Sequence, residues 1–176
     1  GANRGIGYTV VEKLLEKKAK IRIIMTARND ELGQEAYKTL CEKYPEEVEI
    51  FFYHQLDIVD EASITALIDY IKKNFKKFDY LINNAAYSSK GTDFTEEICE
   101  NTFKVNFNGT INLTDKLLPI MNKSGKIIFL SSKSGTLSKL KNENLISKFK
   151  NAKSVDDILK LSEKFKRTIA EGKTES

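Results

Sequence analysis

The chain is 176 residues long, 40% hydrophobic and 31% charged, with a net charge of +4 at neutral pH. That length fits one domain with its own core, and no apolar run approaches the ~18 residues that a spanning helix needs. Residues 139–176 carry ten Lys/Arg and six Asp/Glu while residues 1–138 carry nineteen of each; the basic excess is local and interleaved with acids, which describes a solvated helical face rather than a nucleic-acid surface.

The chain opens on Gly1-Ala2-Asn3-Arg4-Gly5-Ile6-Gly7, three glycines running straight into an apolar-periodic segment at 8–18. Glycine permits positive φ and removes the Cβ that would keep the backbone away from a phosphate. The helix that follows aims its unpaired N–H groups and positive dipole end at the same place, so an anion is the natural occupant. A turn of this kind is launched by a buried parallel strand. None precedes Gly1, and the sequence is expected to be a piece of a longer protein that lacks this first strand.

Val10, Val11, Leu14 and Leu15 mark one face of the first helix, ending near Lys17-Lys18. Residues 20–27 form a β-branched run that predicts a buried strand, 30–43 return to helical spacing, and 48–56 predict a second strand closed by Asp57. Asp60 caps a helix through Ile64, Leu67, Ile68 and Ile71, and Tyr80-Leu81-Ile82 is a third strand ending in Asn83-Asn84-Ala85-Ala86. A long helix is expected over 95–121, interrupted or bent around Gly109, followed by a strand at 126–130 ending in Ser131-Ser132. Strands alternating with helices predict one α/β domain, a doubly wound, Rossmann-like parallel sheet incomplete at both ends, with ligands beyond the carboxyl ends of its strands.

From Leu137 the alternation stops. Residues 143–150 suggest a short helix, and Ser154-Val155-Asp156-Asp157 resembles a capping box opening another through Ile169. Residues 171–176 are polar and expected to be loose. Cys41 and Cys99 lack metal-ligand spacing and are expected to be reduced packing residues. His54, the single histidine, has no partner spaced to make it a base or metal ligand; no metal site is expected.

Arg28 follows the strand at the place where a dinucleotide fold selects its cofactor. An acid there would bind the ribose 2′-hydroxyl and repel a 2′-phosphate, whereas an arginine does the opposite. Arg4 can approach the same phosphate from the glycine turn. Asp57 either accepts from an adenine amino group or caps a turn, and position alone leaves both open.

Taken together and in this order, Gly1 to Gly7, Asn83-Asn84-Ala85-Ala86, Val105-Asn106-Phe107-Asn108-Gly109 and Leu130-Ser131-Ser132 resemble the short-chain dehydrogenase/reductase family. Thr26-Ala27-Arg28 and His54-Gln55-Leu56-Asp57-Ile58 resemble more narrowly its monomeric NADPH-dependent carbonyl reductases. The resemblance implies that Ser132 hydrogen-bonds the substrate carbonyl and its developing oxyanion, and that the backbone of Asn106 holds a water in a proton relay. It places Gly1, Asn3, Arg4, Gly5 and Ile6 on the phosphates and ribose, Asp57 and Ile58 at the adenine, and Asn84, Ala85 and Ala86 beside the nicotinamide ribose. Ala86 stands where the family usually has glycine.

The family protonates the new alkoxide with a tyrosine assisted by a lysine four residues later, both placed after the serine. No tyrosine follows Tyr87. The resemblance divides the chain into a dinucleotide-binding core at 1–136 and, at 137–176, a helical insertion of the kind that separates serine from tyrosine in the single-domain carbonyl reductases. The expectation is therefore a cytoplasmic, monomeric carbonyl reductase acting on ketones, aldehydes or quinones, with no nucleic-acid or membrane partner, and with the supplied segment itself inactive. The alternative is a catalytically inactive NADP(H)-binding or interaction protein of the same fold.

Overall fold

A computed structural model describes residues 1–89 and 95–171. Helix α1 spans Gly5–Glu16 and buries Gly7, Val11 and Leu15 on one face. It begins three residues before the apolar periodicity does. Arg4 is extended (φ −161°, ψ 170°), and Gly5, at φ 59°, makes the sharp change of direction from that strand-like backbone into the helix. Three glycines were expected to supply such freedom. Gly5 alone uses positive φ, and Gly1 and Gly7 serve close packing.

Strand β1 (Ile23–Ala27) alternates buried and half-buried residues, and α2 spans Asp30–Lys43 under the side-chain cap of Asn29, whose Oδ1 accepts from the Leu32 N–H at 2.8 Å. A 3₁₀ segment at Pro45–Ile50 shortens the next strand to Phe51–Gln55, β2. Proline at 45 donates no N–H, so the chain turns before it extends. Helix α3 (Glu61–Asn74) is capped by Asp60 as its sequence indicated, with Oδ1 accepting from the Ala62 N–H at 3.1 Å.

Strand β3 is Phe78–Asn83. The long helix expected over 95–121 is divided into α4 (Glu96–Phe103), a π-helical turn at Lys104–Gly109, and α5 (Thr110–Leu117). It stops at Leu117 because Pro119 cannot continue the ladder, and a 3₁₀ turn at Leu118–Ile120 leads directly into β4, Met121–Phe129. That strand starts five residues earlier than its β-branched run, joining β3 at Phe78↔Met121 and shifting register before Tyr80↔Lys126. Both strand pairs, β1–β2 and β3–β4, are parallel.

Contacts divide the chain into two units. The first comprises 1–87 and 104–129, the second 88–103 and 130–176. In the first, one core packs α3 against α5 through Ile64, Leu67, Leu113 and Leu117, and another packs α1 and α2 onto the β1–β2 pair through Leu15, Met25, Leu40 and Phe51. Each fully buried Leu or Ile contributes roughly 1.5–3 kcal/mol. Tyr37 and Tyr53 line the rim of the latter core, and Tyr53 donates to Asp30 Oδ1 at 3.0 Å. Burial, then this hydrogen bond, pushes the Tyr53 hydroxyl up to about 12. The ring of His54 lies 4.9 Å from that of Tyr70.

The second unit holds α4, α6 (Glu143–Asn151) and α7 (Val155–Ala170). The capping box opens α7 as the sequence indicated: Ser154 Oγ accepts from Asp157 N–H, and the Asp157 carboxylate accepts from Ser154 N–H at 3.1 Å. A hydrogen bond from the Lys153 N–H at 2.9 Å, and then those with Ser154, hold that carboxyl below the usual carboxylate range. Helix α4 meets α7 through Phe103, whose ring lies 6.3 Å from Phe165 and takes the Lys166 ammonium over its face at 5.6 Å. Cys99 is buried in this unit and Cys41 is half-buried in the other, both as free thiols. Within the expected loose segment 171–176, residues 172–176 lie outside the described residues. Among the described residues no helix is long and apolar enough to cross a membrane, and no group of side chains is arranged to hold a metal ion.

Candidate functional site

The first turn of the chain is locked to the carboxyl ends of two strands that belong to different pairs. The backbone nitrogens of Gly1 and Ala2 donate to Thr26 O at 3.0 and 2.9 Å, next to the end of β1, and Asn84 Nδ2, just past β3, donates to Gly1 O at 2.5 Å. Two glycines permit this closeness. A Cβ on Gly1 would lie 2.9 Å from Ala85 Cα; one on Gly7 would overlap the Gly1 carbonyl oxygen and come within 2.6 Å of Asn84 Nδ2. Gly5 faces open space, with no atom within 4 Å of a Cβ placed there.

Helix α1 therefore presents an open N-terminus. Arg4 offers no side-chain cap and the first turn holds no acid, whereas α2, α3, α6 and α7 each have a side-chain cap and an acid in that turn. The first N–H groups of a helix carry partial positive charge and lack intrahelical acceptors. An anion satisfies both conditions. Ile6 is 66% exposed beside them, and Asn3 is half-buried in the turn.

Arg28 sits between the buried end of β1 at Ala27 and the cap residue Asn29, with its side chain exposed. Its carbonyl accepts from Gln55 Nε2 at 3.0 Å. Among the described residues neither the Arg4 nor the Arg28 guanidinium has an ion-pair partner, so both charges remain available to a ligand. Asp57 caps a turn with one oxygen, Oδ1 accepting from Val59 N–H at 3.1 Å, which leaves Oδ2 for an amino group. The two readings of this residue are thus compatible. Ile58 packs its side chain into the α3–α5 core, so that it can offer a nucleotide only its backbone.

Ser63 and Gln55 were not anticipated. Ser63, buried in the first turn of α3, donates to Gln55 Oε1 at 2.9 Å and accepts from Asp57 N–H at 2.9 Å. The only trace of this in the sequence is that Gln55 closes β2 opposite Ala27. Asn106 lies in the π-helical turn and clamps the chain beyond β3: its Oδ1 accepts from Tyr87 N–H at 2.6 Å and its Nδ2 donates to Tyr87 O at 2.9 Å. A π turn widens the backbone ladder and is frequent at functional sites. Ala85 is half-buried and Ala86 exposed.

Ser132 belongs to the second unit, at the cap of a 3₁₀ turn over Lys133–Gly135. Its Oγ accepts from Ser134 N–H at 3.1 Å, which leaves the hydroxyl proton free to donate.

The family model described as short chain dehydrogenase matches residues 1–144. The chain belongs to that family. Within the short-chain dehydrogenases it is similar to (+)-neomenthol dehydrogenase of Arabidopsis thaliana, at 32% identity across 81% of this chain and 55% of that protein. It is also similar to carbonyl reductase [NADPH] 1 of Sus scrofa, at 38% identity across 77% of this chain and 46% of that one. Among solved structures, menthone neomenthol reductase from Mentha piperita superposes with a TM-score of 0.88 at 24% identity, covering 99% of this chain and 74% of that one. That likeness shows the fold. The chain spans about half the length of the curated relatives it matches.

Proposed function

We propose that the complete protein is an NADPH-dependent carbonyl reductase, and that this chain supplies its cofactor turn and the hydroxyl that binds the substrate oxygen. The observation that carries the reading is Arg28: an exposed guanidinium, without an ion-pair partner among the described residues, directly after the buried end of β1, with no acid there, a few residues across from an open helix N-terminus. The chain's similarity to carbonyl reductases [NADPH] supports the choice of coenzyme.

The residues fit such a group. The uncapped α1 terminus and the open surface at Gly5 suit the pyrophosphate, Arg28 and Arg4 suit the 2′-phosphate, and Asp57 Oδ2 suits the adenine amino group. When bound, NADPH supplies the hydride. Ser132 then donates its hydroxyl proton in a hydrogen bond to the carbonyl oxygen as negative charge develops there, which favours the transition state over the ground state. Asn106 fixes the backbone beyond β3 by gripping both the N–H and the carbonyl oxygen of Tyr87. Residues 137–176 act as the helical insertion that precedes the proton-donating segment.

The test uses the full-length protein. It should oxidise NADPH with a quinone or an aromatic ketone, and Ser132→Ala should lower kcat by about a hundredfold, the scale of one lost oxyanion donor, with NADPH affinity unchanged. Cofactor binding without turnover of either substrate would count against the proposal.

A further inference from the structure

The chain of contacts through Gln55 and Ser63 connects two positions that the proposed function assigns to opposite ends of one nucleotide. Arg28 O accepts from Gln55 Nε2, Gln55 Oε1 accepts from Ser63 Oγ, and Ser63 Oγ accepts from Asp57 N. Ser63 Oγ serves twice, as acceptor from Asp57 N and as donor to Gln55 Oε1. The direction of each bond is fixed: Asp57 N and the Gln55 amide can only donate nitrogen-borne protons, and the Arg28 carbonyl can only accept. The serine hydroxyl must therefore point its proton at Gln55 Oε1.

We infer that Gln55 and Ser63 are positioning residues that set coenzyme selectivity, Gln55 by holding the Arg28 backbone against the end of β2 and Ser63 by fixing Gln55 to the Asp57 turn. Two observations and one physical argument support a role beyond holding the fold. Leu56 N already donates to Ala27 O at 2.9 Å, so the ladder between β1 and β2 closes without the glutamine side chain. Asn29 caps α2 on the other side. The Arg28 carbonyl is thus the remaining degree of freedom between a finished strand and a finished helix. The exposed Arg28 side chain has no ion-pair partner among the described residues to orient it, and its aim depends on how its backbone is held.

The second observation is burial. Ser63 is 7% exposed, and a hydroxyl that deep is retained only when both its roles are filled. To these is added economy of effect: a guanidinium that must meet a phosphate bidentately loses most of its advantage if its Cα wanders. The 2′-phosphate distinguishes the two coenzymes, so loosening Arg28 weakens NADPH and leaves NADH nearly untouched.

This rests on the assignment of Arg28 to the 2′-phosphate, and the experiment separates the two. In the full-length protein, NADPH and NADH are titrated against the wild type, Gln55→Met, Ser63→Ala, Ser63→Thr, Arg28→Ala and the Arg28→Ala/Gln55→Met pair. Gln55→Met should weaken NADPH about threefold to tenfold, the span of one neutral hydrogen bond, and NADH less than about twofold. Ser63→Ala should act in the same direction and Ser63→Thr, which keeps the hydroxyl, should recover most of the affinity. In the Arg28→Ala background Gln55→Met should have no further effect on NADPH.

Equal weakening of both coenzymes by Gln55→Met, or by Ser63→Ala should the former fail to fold, would mean a merely structural contact and overturn the inference. No change in either would do the same. If Arg28→Ala itself leaves the NADPH to NADH ratio unaltered, the coenzyme assignment falls and the inference with it; if Arg28→Ala lowers the ratio and Gln55→Met does not, only the inference falls.

Discussion

Gly7→Ala separates the packing of the first turn from its conformation. The added methyl would overlap the Gly1 carbonyl oxygen and lie 2.6 Å from Asn84 Nδ2 and 2.9 Å from Ala2 Cα. Two of those atoms are backbone, and they are tied to Thr26 O through the Gly1 and Ala2 nitrogens, so relief requires the Asn84 amide to leave Gly1 O. Overpacking of this kind costs about 1–3 kcal/mol and the lost hydrogen bond about 1 kcal/mol, against a gain of up to ~1 kcal/mol for alanine over glycine in a helix. The net expectation is a loss of about 1–3 kcal/mol. Gly5→Ala is the control. Nothing lies within 4 Å of its Cβ, so its penalty is only the left-handed backbone, roughly 1–2 kcal/mol.

Urea titration at unchanged slope measures both losses, and a cycle with Asn84→Ala tells them apart. Asn84→Ala should cost about 1 kcal/mol in wild type and in Gly5→Ala, and close to nothing in Gly7→Ala, where the bond is already broken. A full Asn84→Ala penalty in the Gly7→Ala background, or a Gly7→Ala midpoint equal to wild type, would refute the packing argument.

Asn106→Leu removes both bonds to the Tyr87 backbone and, at this exposed position, should cost about 1–2 kcal/mol in urea titration; a neutral result would mean that the clamp contributes nothing. Tyr37 and Tyr53 hydroxyls are both pushed from 10.0 up to about 12, foremost by burial. The folded chain therefore keeps two protons that the unfolded chain releases, so this contribution to stability is complete below pH 10 and is lost as pH rises towards 12. Tyrosinate absorbance should show a late component that Tyr37→Phe and Tyr53→Phe each diminish, and the absence of any such component would contradict the burial argument.

Much of the fold could be read from patterns that act locally. Helix α2 has the bounds its periodicity indicated, Asp60 and Ser154 cap the helices they were assigned, and each strand core was found by its β-branched or aromatic run. Where boundaries moved, something outside the apolar pattern decided them. Gly5 turned the chain into α1 early, Pro45 and Pro119 cut short what hydrophobicity would have extended, and Met121 entered β4 through a register shift that only its partner Phe78 specifies. The candidate site divides the same way. The positions of Arg28, directly after β1, and Asp57, two residues after β2, were legible from their spacing to a strand end. Gln55 and Ser63 were not, because their pairing spans eight residues and two elements, and a buried serine in a helix has no signature until its acceptor is known.

The most direct test of the account is calorimetric titration of the full-length protein with NADPH and NADH, before and after Arg28→Ala. One charge-assisted hydrogen bond to a phosphate is worth about 1.5–3 kcal/mol, or on the order of tenfold or more in affinity. The account predicts that wild type prefers NADPH and that Arg28→Ala removes about that factor from NADPH alone. Equal affinity for the two coenzymes in wild type, or a loss shared by both in the variant, would contradict it.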